Sequence, residues 1–389
     1  MSEHTTPRKS FWTPANIVTA VILAIGLILT VKRFTMGLES VTNLSDDNPW
    51  GIWIGFDLLC GVALAAGGYT TSAAVYLFGM KKFHSAVRPA ITTAFLGYAF
   101  VVFALLYDLG RYYRLPYPLT IYPGPTSFLF EVGLCVALYL TVLAIEFSPA
   151  LWEALNWKKL RAWAHALTLV LTIFGVVLST LHQSSLGALY LIAPSKLHPL
   201  WYSPYLALFF FVSSIPAGLS MVIFEGRLSH KYLHHKMDAT HLEESPGVTL
   251  GFAKAAAVVL FAYFNLKWIG VALDDNWKYL ATGWGAWFLV ELLGFVLTPC
   301  LMYAVAAREK NQNLAFYASI VTVAGIVLNR LNVSLVAFNW HLPAEARYMP
   351  SLEEILLTVF IVTLEITVLR ICLCKLPILH EHPEFKGAH

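Results

Sequence analysis

The chain has 389 residues, 58% hydrophobic and 13% charged, with 26 lysines and arginines against 23 aspartates and glutamates for a net charge of +3. Soluble domains carry about 25% charged residues, so the composition excludes an ordinary soluble globule and points to an all-α integral membrane protein. So small a net charge also argues against nucleic acid as a partner.

A membrane helix needs roughly 20 apolar residues. Ten stretches meet that need, near 14–31, 50–77, 89–107, 127–146, 162–182, 202–224, 250–273, 281–305, 314–338 and 353–374. The first is long and lacks a small-residue cleavage site, so it reads as a span and not as a cleaved signal peptide. The second, Trp50 to Tyr76, carries Asp57 about 10 Å below its outer end, at about 1.5 Å per residue, and is rich in small residues, among them Gly61, Gly67 and Gly68. An ionisable group inside a span normally faces a bundle interior or a cavity, and small residues let helices approach closely. This span is therefore expected to wall the centre of a bundle.

The third span ends at Asp108-Leu-Gly-Arg111, and Pro116, Pro118, Pro123 and Pro125 keep the connection after it non-helical. The fourth begins near Ser127, with Glu131 just below its outer end. The fifth is expected to exit at His182-Gln183-Ser184-Ser185. Asp57, Asp108, Arg111, Glu131, His182 and Gln183 thus converge in the outer half of one bundle. Asp108 and Arg111 also have the spacing of a salt bridge closing a helix end, and His182 has the place of a hydrogen-bonded interfacial imidazole. Asp57 and Glu131 lie too deep for solvated ends.

Further along, Glu225 and Arg227 read as interfacial anchors. His230, His234, His235 and His241 fall in a polar loop without a third type of metal ligand. Glu291, Arg330, Glu365 and Arg370 in the last three spans form either static pairs or a candidate proton path. The five cysteines (Cys60, Cys135, Cys300, Cys372 and Cys374) read as buried inert thiols. No haem or metal is expected: His165 and His182 share one helix about 25 Å apart, and His198 and His341 sit in outer loops, so no two imidazoles face each other across an iron.

Fifteen lysines and arginines fall on the side of the amino terminus and seven on the other, which places both termini in the cytoplasm. A weak repeat relates Gly175-Val-Val-Leu-Ser-Thr-Leu-His182 to Gly325-Ile-Val-Leu-Asn-Arg-Leu-Asn332, and Phe128-Leu-Phe-Glu131 to Phe288-Leu-Val-Glu291. Both pairs lie four spans apart. The chain is expected to be a single polytopic membrane domain, 1–389, with a first four-helix bundle at 50–187 and a second at 202–340, flanked by 14–31 and 353–374.

Acids, a base and an aromatic wall of Trp50, Trp53, Tyr112 and Tyr113 suit a quinone, whose reduction takes two electrons and two protons. With no cluster ligands of its own, such a chain holds no complete active site alone and needs a partner at its outer face to deliver electrons. Two other readings stay open: an ion or proton transporter worked by Glu291, Arg330, Glu365 and Arg370, and a purely structural membrane anchor.

Trp50-Gly-Ile-Trp-Ile-Gly-Phe-Asp57, Asp108-Leu-Gly-Arg111-Tyr-Tyr, Leu129-Phe-Glu131, Leu181-His182-Gln183-Ser184-Ser185 and His198-Pro-Leu-Trp201 together resemble the polysulphide-reductase/nitrite-reductase-type (NrfD/PsrC) integral membrane family, in particular its hydrogenase-associated members. The resemblance covers essentially the whole chain. It implies a haem-free subunit of a respiratory complex in the bacterial inner membrane, with a menaquinone or ubiquinone site in the outer half of the first bundle. Asp57, Asp108, Arg111, Glu131 and His182 match the family's quinone region. It also implies a periplasmic ferredoxin-like iron–sulfur subunit, fed by a NiFe hydrogenase or a multihaem cytochrome c, and anaerobic electron transport with proton translocation as an open question.

Overall fold

The computed structural model describes residues 13–380; Arg8, Lys9 and Lys386, which entered the orientation count, lie outside them. Among the described residues ten helices are long and apolar enough to cross a membrane. They are span 1 (Pro14–Met36), span 2 (Trp53–Leu77), span 3 (Lys81–Asp108), span 4 (Phe128–Ala154), span 5 (Thr168–Ile192), span 6 (Leu206–Tyr232), span 7 (Ala239–Leu273), span 8 (Gly283–Glu309), span 9 (Gln312–Val336) and span 10 (Leu352–Lys375). The protein is all-α and multi-pass.

Spans 2 and 6 are the axis of the molecule. In their most apolar windows 78% and 67% of residues are buried, against 6% in span 1 and 22% in span 10. Spans 2 to 5 contact one another in a ring, and so do spans 6 to 9; span 6 packs on spans 2 and 5, while span 10 lies between span 1 and span 3. Small residues make the axis possible. A Cβ on Gly218 would run into the backbone of Ala66 and Gly67, and one on Gly68 would sit 2.5 Å from Ala94 Cβ. Backbones this close exclude any side chain.

Span 2 is a discontinuous helix. It starts as a π-helix over Trp53–Leu58, runs as α-helix over Leu59–Leu64 and Gly67–Ser72, and ends as a second π-helix, Ala73–Leu77. At the break the Ala66 N–H turns back to the Ala63 carbonyl (3.3 Å). The Val62 carbonyl is instead taken by the Gln183 side-chain amide at 3.0 Å. Irregular backbone at membrane depth needs such a partner, because lipid offers none.

Span 5 differs from the sequence expectation. A separate short helix, Lys158–Ala166, lies before it, and the membrane helix runs from Thr168 past His182 to Ile192. Arg161 on the short helix joins Arg88 on Glu153, at 2.7 and 2.8 Å, which holds that helix out of the span. His182-Gln183-Ser184-Ser185 is therefore not an exit, because the apolar run Leu186–Ile192 carries the helix onward. His182 lies about 15 Å inside the end of span 5, counting ten residues at about 1.5 Å each.

Candidate functional site

The six residues expected to converge fall on two sides of spans 2 and 3. Asp57 is 6% exposed and faces span 10, where Thr358 Oγ1 donates to its Oδ2 at 3.2 Å. The π-helical winding at Trp53–Leu58 aims it there, and such bulges recur at functional sites. Trp53, 1% exposed, lies in the same seam with Tyr107 of span 3 and Leu357, Phe360 and Ile361 of span 10. Its indole Nε1 has no hydrogen-bond partner, nor has Asp108 Oδ1 at the end of span 3.

Asp108 and Arg111 form no ion pair within 4 Å, and Arg111 is exposed. Arg33 of span 1 takes the role instead. It is buried and donates to the carbonyls of Tyr107 (2.9 Å) and Leu109 (2.6 Å), closing the end of span 3. Tyr112 packs edge-on against Phe34 at 4.8 Å beside this mouth. Sequence reasoning missed Arg33, Thr358 and Glu354. Glu354, 0% exposed, gathers Thr42, Tyr348, Asn43 N–H and Ser351 N–H around one carboxylate. Burial and that carboxylate push the Tyr348 phenol well above its usual range.

The other side is the interior of the ring formed by spans 2 to 5. His182 is 0% exposed, and neither of its ring nitrogens has a partner. Around it lie the buried hydroxyls of Tyr98, Tyr139 and Ser179 and the side-chain amide of Gln183, near enough to interact with one another. The Tyr98 ring stands 5.6 Å from the imidazole and 4.7 Å from the Tyr139 ring. Native interiors leave few polar atoms unmatched, and a buried imidazole with neither nitrogen matched calls for water or a ligand. Glu131 closes the outer end of this interior, accepting from Ser185 Oγ at 2.7 Å.

Glu291 and Arg330 belong to the ring of spans 6 to 9. Glu291 accepts from Trp201 Nε1 (2.8 Å), Asn329 Nδ2 (2.7 Å) and Asn332 Nδ2 (2.5 Å). Arg330 donates to Asn329, Ser213 and the Phe210 carbonyl, its guanidinium 3.8 Å from the Phe210 ring centre. Asn329 bridges the two charges. Glu365 and Arg370 are elsewhere, on span 10: Glu365 Oε1 lies 3.7 Å from the Cβ position of Gly97 in span 3, and Arg370 reaches Asn16 of span 1. The structure does not bring these four residues together.

Trp50 sits over the outer end of the axis, 5.7 Å from Tyr190 and 6.1 Å from Phe338. His198 lies in the outer loop among Trp201, Tyr279, Trp284 and Trp340, its Nδ1 accepting from Leu200 N–H at 3.2 Å. Burial depresses its pKa to about 4. His182 and His198 are the two buried histidines among the described residues, the first inside span 5 and the second in the loop between spans 5 and 6. No group of three or more His, Cys, Asp or Glu among the described residues is arranged to hold a metal ion.

Comparison with known proteins adds to this geometry. The sequence pattern of the family described as polysulphide reductase, NrfD, matches residues 40–338. A protein of Nitratidesulfovibrio vulgaris is 65% identical over 387 residues, covering all of both chains. The probable Ni/Fe-hydrogenase 2 b-type cytochrome subunit of Escherichia coli is 34% identical, over 92% of this chain and 90% of that one. The integral membrane subunit of menaquinone reductase from N. vulgaris is 28% identical over the same shares.

Proposed function

The chain belongs to the polysulphide reductase NrfD family, and on that premise we propose that it is the haem-free, quinone-reactive membrane subunit of a respiratory redox complex. Relatives that serve a hydrogenase and a menaquinone reductase support a chain that exchanges electrons with the quinone pool. The observation that carries the reading is the fully buried imidazole of His182, neither of whose nitrogens has a partner within the chain. A bound quinone supplies two-electron, two-proton chemistry, and apolar walls with a few convergent polar groups are what its ring requires.

In this reading His182, Gln183 and Glu131 bind or protonate the ring from the interior of spans 2 to 5, and Asp57, on the side of span 10, passes protons towards it. Asp108, Arg111, Trp50, Trp53 and Tyr112 shape the mouth. Spans 2–5 and 6–9 are the two bundles of one duplicated unit, with the quinone in the first. Electrons pass through a periplasmic iron–sulfur subunit, itself served by a NiFe hydrogenase or a multihaem cytochrome, and both termini face the cytoplasm of a bacterial inner membrane.

The test is titration of the purified complex with a quinone analogue. His182→Ala is expected to weaken binding about 10-fold, since a buried polar group left without its hydrogen bond costs about 1–3 kcal/mol, and Asp57→Asn is expected to slow quinone turnover. Unchanged binding and turnover in both variants would sink the site.

A further inference from the structure

We propose that span 10 completes a proton route through this chain, from Asp57 past Thr358 and Glu365 to Glu225, opening into a cavity beneath spans 3, 6 and 10. The proposal rests on the quinone reading above and assigns the path by which protons reach that site. Span 10 lies beyond residues 40–338, the part that matches the family pattern, while Asp57, Thr93 and Glu225 lie within it.

Three carboxylates line the seam at successive depths. Thr358 donates to Asp57 at 3.2 Å. Glu365 is seven residues further along the same helix, hence on the same face and about 10 Å deeper. Its Oε1 stands 3.7 Å from the Cβ position of Gly97, in van der Waals reach of span 3. One turn below Gly97 on span 3, Thr93 Oγ1 donates to Glu225 Oε2 at 2.6 Å. Asp57 and Glu365 are within electrostatic reach of one another, and so are Glu365 and Glu225. None of the three has a cation within 4 Å among the described residues.

Two independent observations point to mobile protons instead of static packing. The first is a cavity of about 600 Å³ at the inner end of the seam, lined by Thr93, Glu225, Ser229, His241 and Arg370 among others. It adjoins the side where lysine and arginine are concentrated; its walls are largely apolar, and these polar side chains are where water can be held. The second is at the outer end, where the fully buried Trp53 Nε1 has no partner in the chain. An unpaired carboxylate in an apolar span is costly and marks a proton relay or ion path. A cation site would gather six to eight oxygens at one point, whereas these carboxylates are strung out along the seam. In the reducing direction two electrons from the iron–sulfur partner and two protons drawn along this route convert quinone to quinol.

The test uses the intact complex. Treatment with a hydrophobic carbodiimide, which modifies protonated carboxyls in apolar surroundings, should label Glu365 and Glu225, read by mass spectrometry. In liposomes with an entrapped pH dye, Glu365→Gln and Glu225→Gln should bind the quinone analogue as the parent does. Both should lower quinone reduction and proton uptake from the inner-side compartment together by about 10-fold, with Glu365→Asp recovering part of each. Unlabelled carboxyls, or Gln variants with undiminished uptake and turnover, overturn the route while the quinone reading stands. Loss of the quinone reading shows itself separately, as Asp57→Asn and His182→Ala variants that still bind and turn over quinone.

Discussion

Glu291 receives three donors from three elements: Trp201 of the outer loop, Asn329 of span 9, and Asn332 of the π-helix that ends it. A hydrogen bond between membrane helices is worth about 0.6 kcal/mol on average, and a stranded buried donor in a soluble protein costs about 1–3 kcal/mol. Glu291→Leu strands all three and is expected to destabilise the protein by about 2 kcal/mol or more, seen as a fall in thermal midpoint in detergent. Glu291→Gln keeps one acceptor oxygen and should lose less. If Glu291→Leu kept full stability but abolished proton movement, the network would be a working part and the transporter reading would gain. His198 gives a second residue-scale expectation. Its pKa in the fold is about 4, below the ordinary value of about 6.5, so the folded state holds the neutral imidazole. Its contribution is complete above about pH 6.5 and is lost as pH falls from there towards about 4. His198→Phe should flatten the thermal midpoint across that window.

At the scale of elements, the crossing of spans 2 and 6 decides what the site can be. Gly218 meets the backbone of Ala66 and Gly67, at the break where Val62 gives its carbonyl to Gln183. Backbone cannot yield as a flexible side chain does, so Gly218→Ala should cost about 1–3 kcal/mol by overpacking. Gly226→Ala on the same helix, with open space around it, should be neutral or gain about 0.5–1 kcal/mol. Equal effects at the two positions would mean that the crossing is looser than described. The same elements show what the sequence makes legible. Ten spans follow from hydropathy alone, and Asp57 with its glycines marks the buried span 2. The register of span 5 was hidden, because four polar residues in a row look like a helix end while the apolar tail after them continues it. Thr358 and Glu354 were hidden for a different reason. Spans 2 to 5 are neighbours in sequence, but span 10 returns to span 3 only through the packing of the whole chain.

For the whole molecule, lysine and arginine asymmetry, the inner cavity and the outer mouth make one claim about direction. If both termini are cytoplasmic, Lys82, in the first turn of span 3, faces the cytoplasm, and Tyr122, between spans 3 and 4, faces the opposite side. Tyr122 is 76% exposed, so a cysteine there is open to reagent without disturbing the core. In spheroplasts a membrane-impermeant maleimide should label Tyr122→Cys at once and Lys82→Cys only after permeabilisation. The five native cysteines are buried or half-buried, so background should be low. Reversed labelling would put the mouth at Arg111 and Tyr112 on the cytoplasmic side, where a periplasmic electron donor could not reach it. It would also turn the cavity at Glu225 outward, so that protons would enter from the side of high potential and quinone reduction through this seam would dissipate the gradient. Electron partner and proton source are thus set by a single orientation, and one labelling experiment constrains both.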